Sequence, residues 1–517
     1  MGLNMTEVVI DGESLTIEQV VAVAQDGARV VLAGSAVPKV QRARAYVERL
    51  LAEQRVVYGV TTGFGKFAEV PVAREDSLTL QRNLVLSHSC GVGEPLGIPE
   101  ARGMMLLRAN VMAKGFSGVR LVVLETLLRA LNQGVIPVIP RKGSVGACGD
   151  LAPLAHLTAV LIGEGEAFYQ GERLPGGEAM RRAGIEPVIL EAKEGLALIN
   201  GTQMMTALGA LTLWEAENLS KSADIAAAQA VEALRGTNTP YLEISHRVRP
   251  HVGQAATARN LMRLLEHSEI LASHVTCSKV QDAYSLRCVP QVHGAVKDAL
   301  AFVRGVLEVE INAATDNPLV FPEEEMVISG GNFHGQPVSQ AMDILAIALA
   351  EMGNISERRI ECTMDPSTSD HLPPFLTSHP GLNCGLMMAQ VTAAALVSEN
   401  KILAHPACVD SIPTSANKED FVSMGAHAAV KAREVVQNVR RVLAIELLCG
   451  AQGLEFRELL RPGRGVAAAH AFIRESIPAL EHDRPQTPDI EKVAGMVLDG
   501  SLVSRVEDAV GRLEPND

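Results

Sequence analysis

Arg141-Lys-Gly-Ser-Val-Gly-Ala-Cys-Gly-Asp-Leu-Ala-Pro-Leu-Ala-His156 is the stretch on which the reading of the whole chain turns. Glycine recurs at every third position, at Gly143, Gly146 and Gly149, the spacing of a tightly wound loop with exposed backbone. Asp150 and Pro153 then mark a helix start leading into an apolar run. Ala147-Cys148-Gly149 sets a small residue, a residue with a heteroatom on its β-carbon and a glycine side by side. By itself this is a glycine-rich turn carrying a thiol. Its weight comes from what stands around it.

Upstream, Tyr58-Gly-Val-Thr-Thr-Gly-Phe-Gly65 is a second glycine-rich loop with a single tyrosine. Leu80-Gln-Arg-Asn-Leu-Val-Leu-Ser-His-Ser89 reads as a helix whose apolar positions give way to Ser87-His88. Val135-Ile-Pro-Val-Ile-Pro140 is an extended lead into the central loop, and residues 163–177 read as a small hairpin. Downstream, Glu194-Gly-Leu-Ala-Leu-Ile-Asn-Gly-Thr-Gln203 places Asn200 in an apolar, glycine-flanked setting, where a polar side chain needs a partner. Gln281, Tyr284 and Arg287 are spaced i, i+3, i+6, roughly one face of two helical turns. An arginine so placed is a natural bidentate clamp for a carboxylate, although a solvated polar face has the same pattern. Long helices are expected over 203–235, 338–357 and 387–403, the last two apolar nearly all round, as inside a bundle or an oligomer.

These motifs, seven of them between Tyr58 and Met424 and in family order, resemble the histidine/phenylalanine/tyrosine ammonia-lyase family. The central stretch is similar to the family signature Gly-Ser-Val-Gly-Ala-Ser-Gly-Asp-Leu-Ala-Pro-Leu-Ala-His, with Cys148 where the family usually has serine. In that family the tripeptide cyclises and loses a β-substituent to become 4-methylidene-imidazol-5-one (MIO), and no metal or diffusible cofactor is used. Cysteine can serve, since hydrosulfide leaves at least as readily as hydroxide once the ring acidifies the α-proton. The resemblance implies that Tyr58 removes the substrate β-proton, for which its pKa must be depressed by a nearby cation or helix terminus. It implies that Asn200 hydrogen-bonds the MIO carbonyl, Gln281 supports the amide network, Tyr284 positions MIO and substrate, and Arg287 binds the carboxylate. It implies too that Phe333, in Ser329-Gly-Gly-Asn-Phe-His-Gly-Gln336, walls the pocket, and that Met387 stands at a position that lines the ring pocket in histidine lyases.

The substrate residues point mainly to L-histidine, giving trans-urocanate. Ser87-His88 resembles the substrate-selecting pair of histidine lyases, and Glu419 matches the glutamate of their Asn-Gln-Glu-Asp-His run, where aromatic lyases commonly carry glutamine. Gly335, Gln336 and Lys418 pull the other way, toward a tyrosine or phenylalanine lyase or a 2,3-aminomutase. A scaffold whose electrophile never forms is the reading from outside enzymology. The fold implied is mainly α, a long-helix bundle with a smaller mixed N-terminal region, divided as 1–200 carrying the tyrosine and MIO loops and 201–517 carrying the bundle. A homotetramer with active sites built from more than one subunit is implied as well.

Composition agrees with this. Of 517 residues, 47% are hydrophobic but only 3% aromatic, so the core must be Ala, Leu, Val, Ile and Met, which suits close helix packing. A formal charge of −14 argues against nucleic acid or an anionic membrane and in favour of a small amino-acid substrate. The eight cysteines are scattered without a Cys-x-x-Cys, which fits a reducing, cytoplasmic setting and no zinc site. No apolar run reaches membrane-spanning length.

Overall fold

The computed structural model describes residues 5–514 except 64, 68, 71, 73–75, 278 and 458, and the side chain of 66. Phe64 of the tyrosine loop therefore lies outside the described residues. The chain is mainly helical. Its centre is a bundle of Gln203–Ala233, Val289–Glu310, Gln336–Met364 and Gly425–Glu455. Small side chains make the packing close: Gly450 and Gly453 face Gln229 and Ala233, and a Cβ on either glycine would lie 2.9 Å from its neighbour's. Within the bundle Arg359 pairs with Glu446, both buried, which satisfies two charges that burial would otherwise penalise.

The N-terminal part is mixed. Thr16 caps Ile17–Ala24 with the reciprocal Gln19 bond expected of a capping box. Ala36–Ala52, Ile98–Ala113 and Leu121–Gln133 follow, the last two separated by the glycine break at 115–118. Glu7–Ile10 pairs in parallel with Arg29–Leu32, and Glu166–Tyr169 with Glu172–Pro175 forms the hairpin expected over 163–177. One apolar core runs from Val8 to Leu513 and takes in residues on both sides of 200.

Three short devices deliver the loops that matter. Val92–Pro95 pairs antiparallel with Pro140–Lys142 and so fixes the entry to the glycine loop. Ser77–His88, Leu151–Leu161 and Glu194–Ile199 pack together behind it. The hairpin Leu319–Phe321/Met326–Ile328 holds the turns on either side of it, Asn317 before and Ser329 to Phe333 after.

Candidate active site

The glycine loop closes on itself as its composition requires. Gly143, Gly146 and Gly149 all have positive φ, at +135°, +69° and +72°. Gly149 has a second constraint: a Cβ there would sit 2.2 Å from the carbonyl oxygen of Gly201, so no other residue fits. Ser144 reaches across the turn, its Oγ donating to the Gly149 carbonyl at 3.3 Å and accepting from the Gly146 N–H at 3.1 Å. The Asp150 N–H donates to Gly201 O at 2.7 Å on one side, and the Met424 N–H to Val145 O at 2.9 Å on the other. Ser423 Oγ also donates to Gly146 O, at 3.2 Å. The tripeptide is thus held from both flanks.

Asp150 does not cap its own helix. Its buried carboxylate accepts from the Met205 N–H at 3.0 Å, in the first turn of Gln203–Ala233, and lies 3.3 Å from Ser144 Oγ. It serves the N-terminus of a different helix from the one sequence assigned it. Burial pushes its pKa up to about 7, against the pull of the Met205 and Ser144 hydrogen bonds.

Beside the loop lies a cavity of about 870 Å³. Tyr58, Ser87, His88, Cys148, Asn200, Phe333 and Glu419 all line it, brought together from six separate places in the chain, and Lys418, Leu196 and Asn317 line it as well. The Tyr58 hydroxyl accepts from the Gly65 N–H at 3.3 Å. Burial holds its pKa above the ordinary phenol value, the Gly65 N–H opposes this, and the Glu419 charge adds to it. The depressed tyrosine that sequence led us to expect is not met within one chain. His88 Nδ1 is 2.8 Å from the Leu84 carbonyl, so Nδ1 carries the proton and Nε2 is left as an acceptor. Burial lowers its pKa and favours this neutral form.

Asn200 is fixed through backbone and side chain. Arg108 Nη1 donates to its carbonyl at 2.6 Å, and Asn200 Nδ2 donates to Asn317 O at 3.1 Å. Asn200 Oδ1 is buried and finds no partner among the described residues. Beneath it lies a polar layer that the motifs did not reveal. Arg108 is fully buried and its pKa is lowered by burial to about 10, while Lys193 and Asp316 form a buried ion pair at 3.2 Å. A charged residue inside the apolar run Met104-Met-Leu-Leu-Arg-Ala-Asn-Val-Met112 was the available signal for Arg108.

Glu419 is presented by an unusual turn. Ser415, Ala416 and Asn417 have φ of +49°, +52° and +63°, three successive left-handed residues without a glycine. Each costs about 1–2 kcal/mol relative to ordinary backbone. Thr414 Oγ1 donates to Glu419 Oε2 at 2.6 Å, and the Cys148 thiol donates to Oε1 at 3.1 Å. Burial, then the Glu419 charge, push the Cys148 pKa well up, so the sulfur keeps its proton. Thr414 was not singled out by sequence, and only its place five residues before Glu419 connects the two.

Gln281, Tyr284, Arg287 and Met387 are absent from this cavity. Gln281 and Arg287 line another, of about 660 Å³, with Asn238 and His274. The two-turn helix expected here is one turn, Tyr284–Arg287, because Asp282 turns aside to accept from the Thr237 N–H at 2.7 Å and to pair with Lys279. Only Tyr284 and Arg287 share a face, the guanidinium carbon 4.4 Å from the ring centroid. Tyr284 is 70% exposed, and Arg287 Nε is buried without a partner among the described residues. Met387 opens the helix Met387–Leu403, whose Met388, Val391 and Ile402 are exposed. Among the described residues no three His, Cys, Asp or Glu side chains gather as a metal ion would need, and no helix is long and apolar enough to cross a membrane.

Residues 15–475 match the family profile described as aromatic amino acid lyase. A histidine ammonia-lyase of Myxococcus xanthus is 53% identical over 507 residues, covering 98% of this chain and all of that one. One of Anaeromyxobacter sp. strain K is 57% identical, covering 96% and 100%. Among solved structures, histidine ammonia-lyase from Trypanosoma cruzi superposes with a TM-score of 0.91 at 44% identity, covering 98% of this chain and 96% of that one. Tyrosine aminomutase from Streptomyces globisporus gives a TM-score of 0.93 at 39% identity, with 98% and 100% covered.

Proposed function

The chain belongs to the aromatic amino acid lyase family and is a carbon–nitrogen lyase, and from that premise we propose that it deaminates L-histidine to trans-urocanate and ammonia. The observation that carries the substrate is the pairing of His88 and Glu419 on the wall that also bears Cys148. A neutral His88 with Nε2 free to accept suits an imidazole N–H, and the carboxylate suits either the ring or the departing amine. Full-length relatives named histidine ammonia-lyase support the same reading.

The electrophile is an MIO ring made from Ala147-Cys148-Gly149. Two features fit it: the left-handed bend at Gly149 and the clamping of the loop from both flanks. Once formed, such a ring supplies an electrophilic methylidene that takes the substrate amine and makes it a leaving group. Asn200 holds the ring carbonyl through the free N–H of its side chain. Tyr58 takes the β-proton on its hydroxyl oxygen, and Phe333 walls the substrate ring. The site is completed by a second copy of the chain in a homotetramer, which brings Gln281, Tyr284, Arg287 and Met387. The exposed Tyr284 and the exposed apolar face of Met387–Leu403 support this, since both present surface that one chain leaves uncovered. Arg287 arriving there binds the substrate carboxylate and supplies the cation that lowers Tyr58. Eight free cysteines suit a reducing cytoplasm.

Lys418 on the cavity wall favours a second reading, an aromatic lyase or aminomutase, and the fold by itself does not choose between them. The ultraviolet spectrum of the purified protein with L-histidine, L-tyrosine or L-phenylalanine decides. Growth of the urocanate band alone is expected. Coumarate or cinnamate would contradict the substrate, and no band with any of the three would contradict the lyase reaction.

A further inference from the structure

Glu419 touches the sulfur that ring formation has to expel. Its Oε1 is 3.1 Å from Cys148 Sγ, and Thr414 Oγ1 anchors the other oxygen at 2.6 Å. The strained turn at 415–417 and the backbone pairing of Thr414 with Glu419 fix the carboxylate there. Asp150, the other carboxylate beside the loop, is committed to the Met205 N–H and to Ser144, not to the thiol. We propose that Glu419 is the proton shuttle of ring maturation, taking the Cα proton of Cys148 and delivering it to the departing sulfur. This rests on the MIO reading above and adds a role that precedes any turnover.

The step balances without an oxidant or a co-reactant. Ring closure joins the Gly149 nitrogen to the Ala147 carbonyl carbon and releases one water, its oxygen from Ala147 and its hydrogens from the Gly149 and Cys148 nitrogens. The Cys148 Cα–H bond then breaks, the proton going to the Glu419 carboxylate and the electron pair forming the Cα=Cβ bond. The Cβ–S bond breaks with its pair on sulfur. The hydrosulfide takes the proton back from Glu419 and leaves as hydrogen sulfide, so the carboxylate ends as it began. A protonated thiol, which the burial of Cys148 enforces, makes hydrosulfide the leaving group and avoids the dianionic sulfide. One carboxylate in contact with the sulfur, which is two bonds from Cα, is placed to serve both ends of the elimination.

The test is the intact mass of the freshly synthesised full chain, followed over time together with its titratable thiols under denaturing conditions. Wild type is expected to become lighter by one water and one hydrogen sulfide, and to lose one thiol from its eight cysteines. Glu419→Gln is expected to retain the sulfur, with elimination slowed about a hundredfold or more, the range of a positioned acid–base group. Thr414→Val, which frees the carboxylate without removing it, is expected to slow maturation by less, and added formate to speed the slow step in Glu419→Ala. Size-exclusion elution shows whether each variant assembles. Should Glu419→Gln fail to assemble, Thr414→Val and Glu419→Asp stand in for it, and maturation at the wild-type rate in both overturns the proposal. Wild-type maturation in an assembled Glu419→Gln overturns it too. A wild-type chain that keeps its full mass overturns the MIO reading, and this one with it, which separates the two failures.

Discussion

Two groups of polar residues differ in how one chain treats them. Tyr58, Asn200, Cys148 and Glu419 converge on one cavity, each tied by a hydrogen bond to a neighbour that fixes its direction. Tyr284 and Arg287 lie elsewhere, stacked on each other with the ring largely exposed. On the proposed reading the first group has the electrophile precursor and the base, and among the described residues no cation lowers the tyrosine, although Lys418 lies on the same wall. The second has a cation, but the cavity that Arg287 lines contains neither Cys148 nor Tyr58. Burial and neighbouring negative charge push Tyr58 up, the wrong direction for a base, and in the shared site proposed above the second group would reverse this. The comparison teaches that motifs read together in a sequence can fold into separate cavities of one chain.

The largest expected effect falls on the first group. Tyr58→Phe removes the proton acceptor with little change in shape, and kcat should fall about 10²- to 10⁴-fold while KM for L-histidine stays near wild type. A drop in KM alone would break the division. In the second group, Arg287→Lys keeps the charge and loses the bidentate fork. About 1.5–3 kcal/mol of charged hydrogen bonding should disappear, read as a KM rise of roughly 10- to 150-fold in steady-state kinetics. An unchanged KM would mean that Arg287 never reaches a substrate carboxylate.

Much of this was legible in the chain. The positive φ at Gly143, Gly146 and Gly149 follows from their spacing, and the long alanine-rich helix starting at Gln203 follows from periodicity and composition. What escaped were features decided by partners distant in sequence. Asp150 in front of a helix reads as that helix's cap, yet its carboxylate faces Met205 because tertiary packing brings another helix end nearer. The i, i+3, i+6 spacing of Gln281, Tyr284 and Arg287 reads as a two-turn face, yet Asp282 leaves the helix for Thr237, 45 residues away in sequence. The buried layer of Arg108, Lys193 and Asp316 carried no motif, only charge among apolar neighbours. The sign of the Tyr58 shift was beyond local reading, since it is decided by burial and by Glu419, far away in sequence.

Smaller effects sharpen the first group further. His88→Leu puts an apolar residue where an imidazole N–H acceptor stands, and kcat/KM should fall about 10- to 200-fold for L-histidine relative to L-phenylalanine, measured with both substrates in parallel. No change in that ratio would remove His88 from substrate selection. Asp150 gives a pH signature. Its pKa is raised from 3.8 to about 7 in the folded chain, so the native state holds a proton that the unfolded chain releases in that window. Stability from this group is therefore full below pH 3.8 and falls as pH rises through about 7. Denaturant titrations from pH 5 to 8 should show a shallower decline in Asp150→Asn, and identical slopes would contradict the assignment.

The division itself is tested most directly by hybrids. Differently tagged Tyr58→Phe and Arg287→Met chains, each inactive alone at low L-histidine, are co-expressed and the mixed oligomers isolated by both tags. If the two groups meet across copies, some sites in the hybrid receive an intact Tyr58 and an intact Arg287, and urocanate formation returns. Mixed oligomers as inactive as either parent would contradict a site shared between chains.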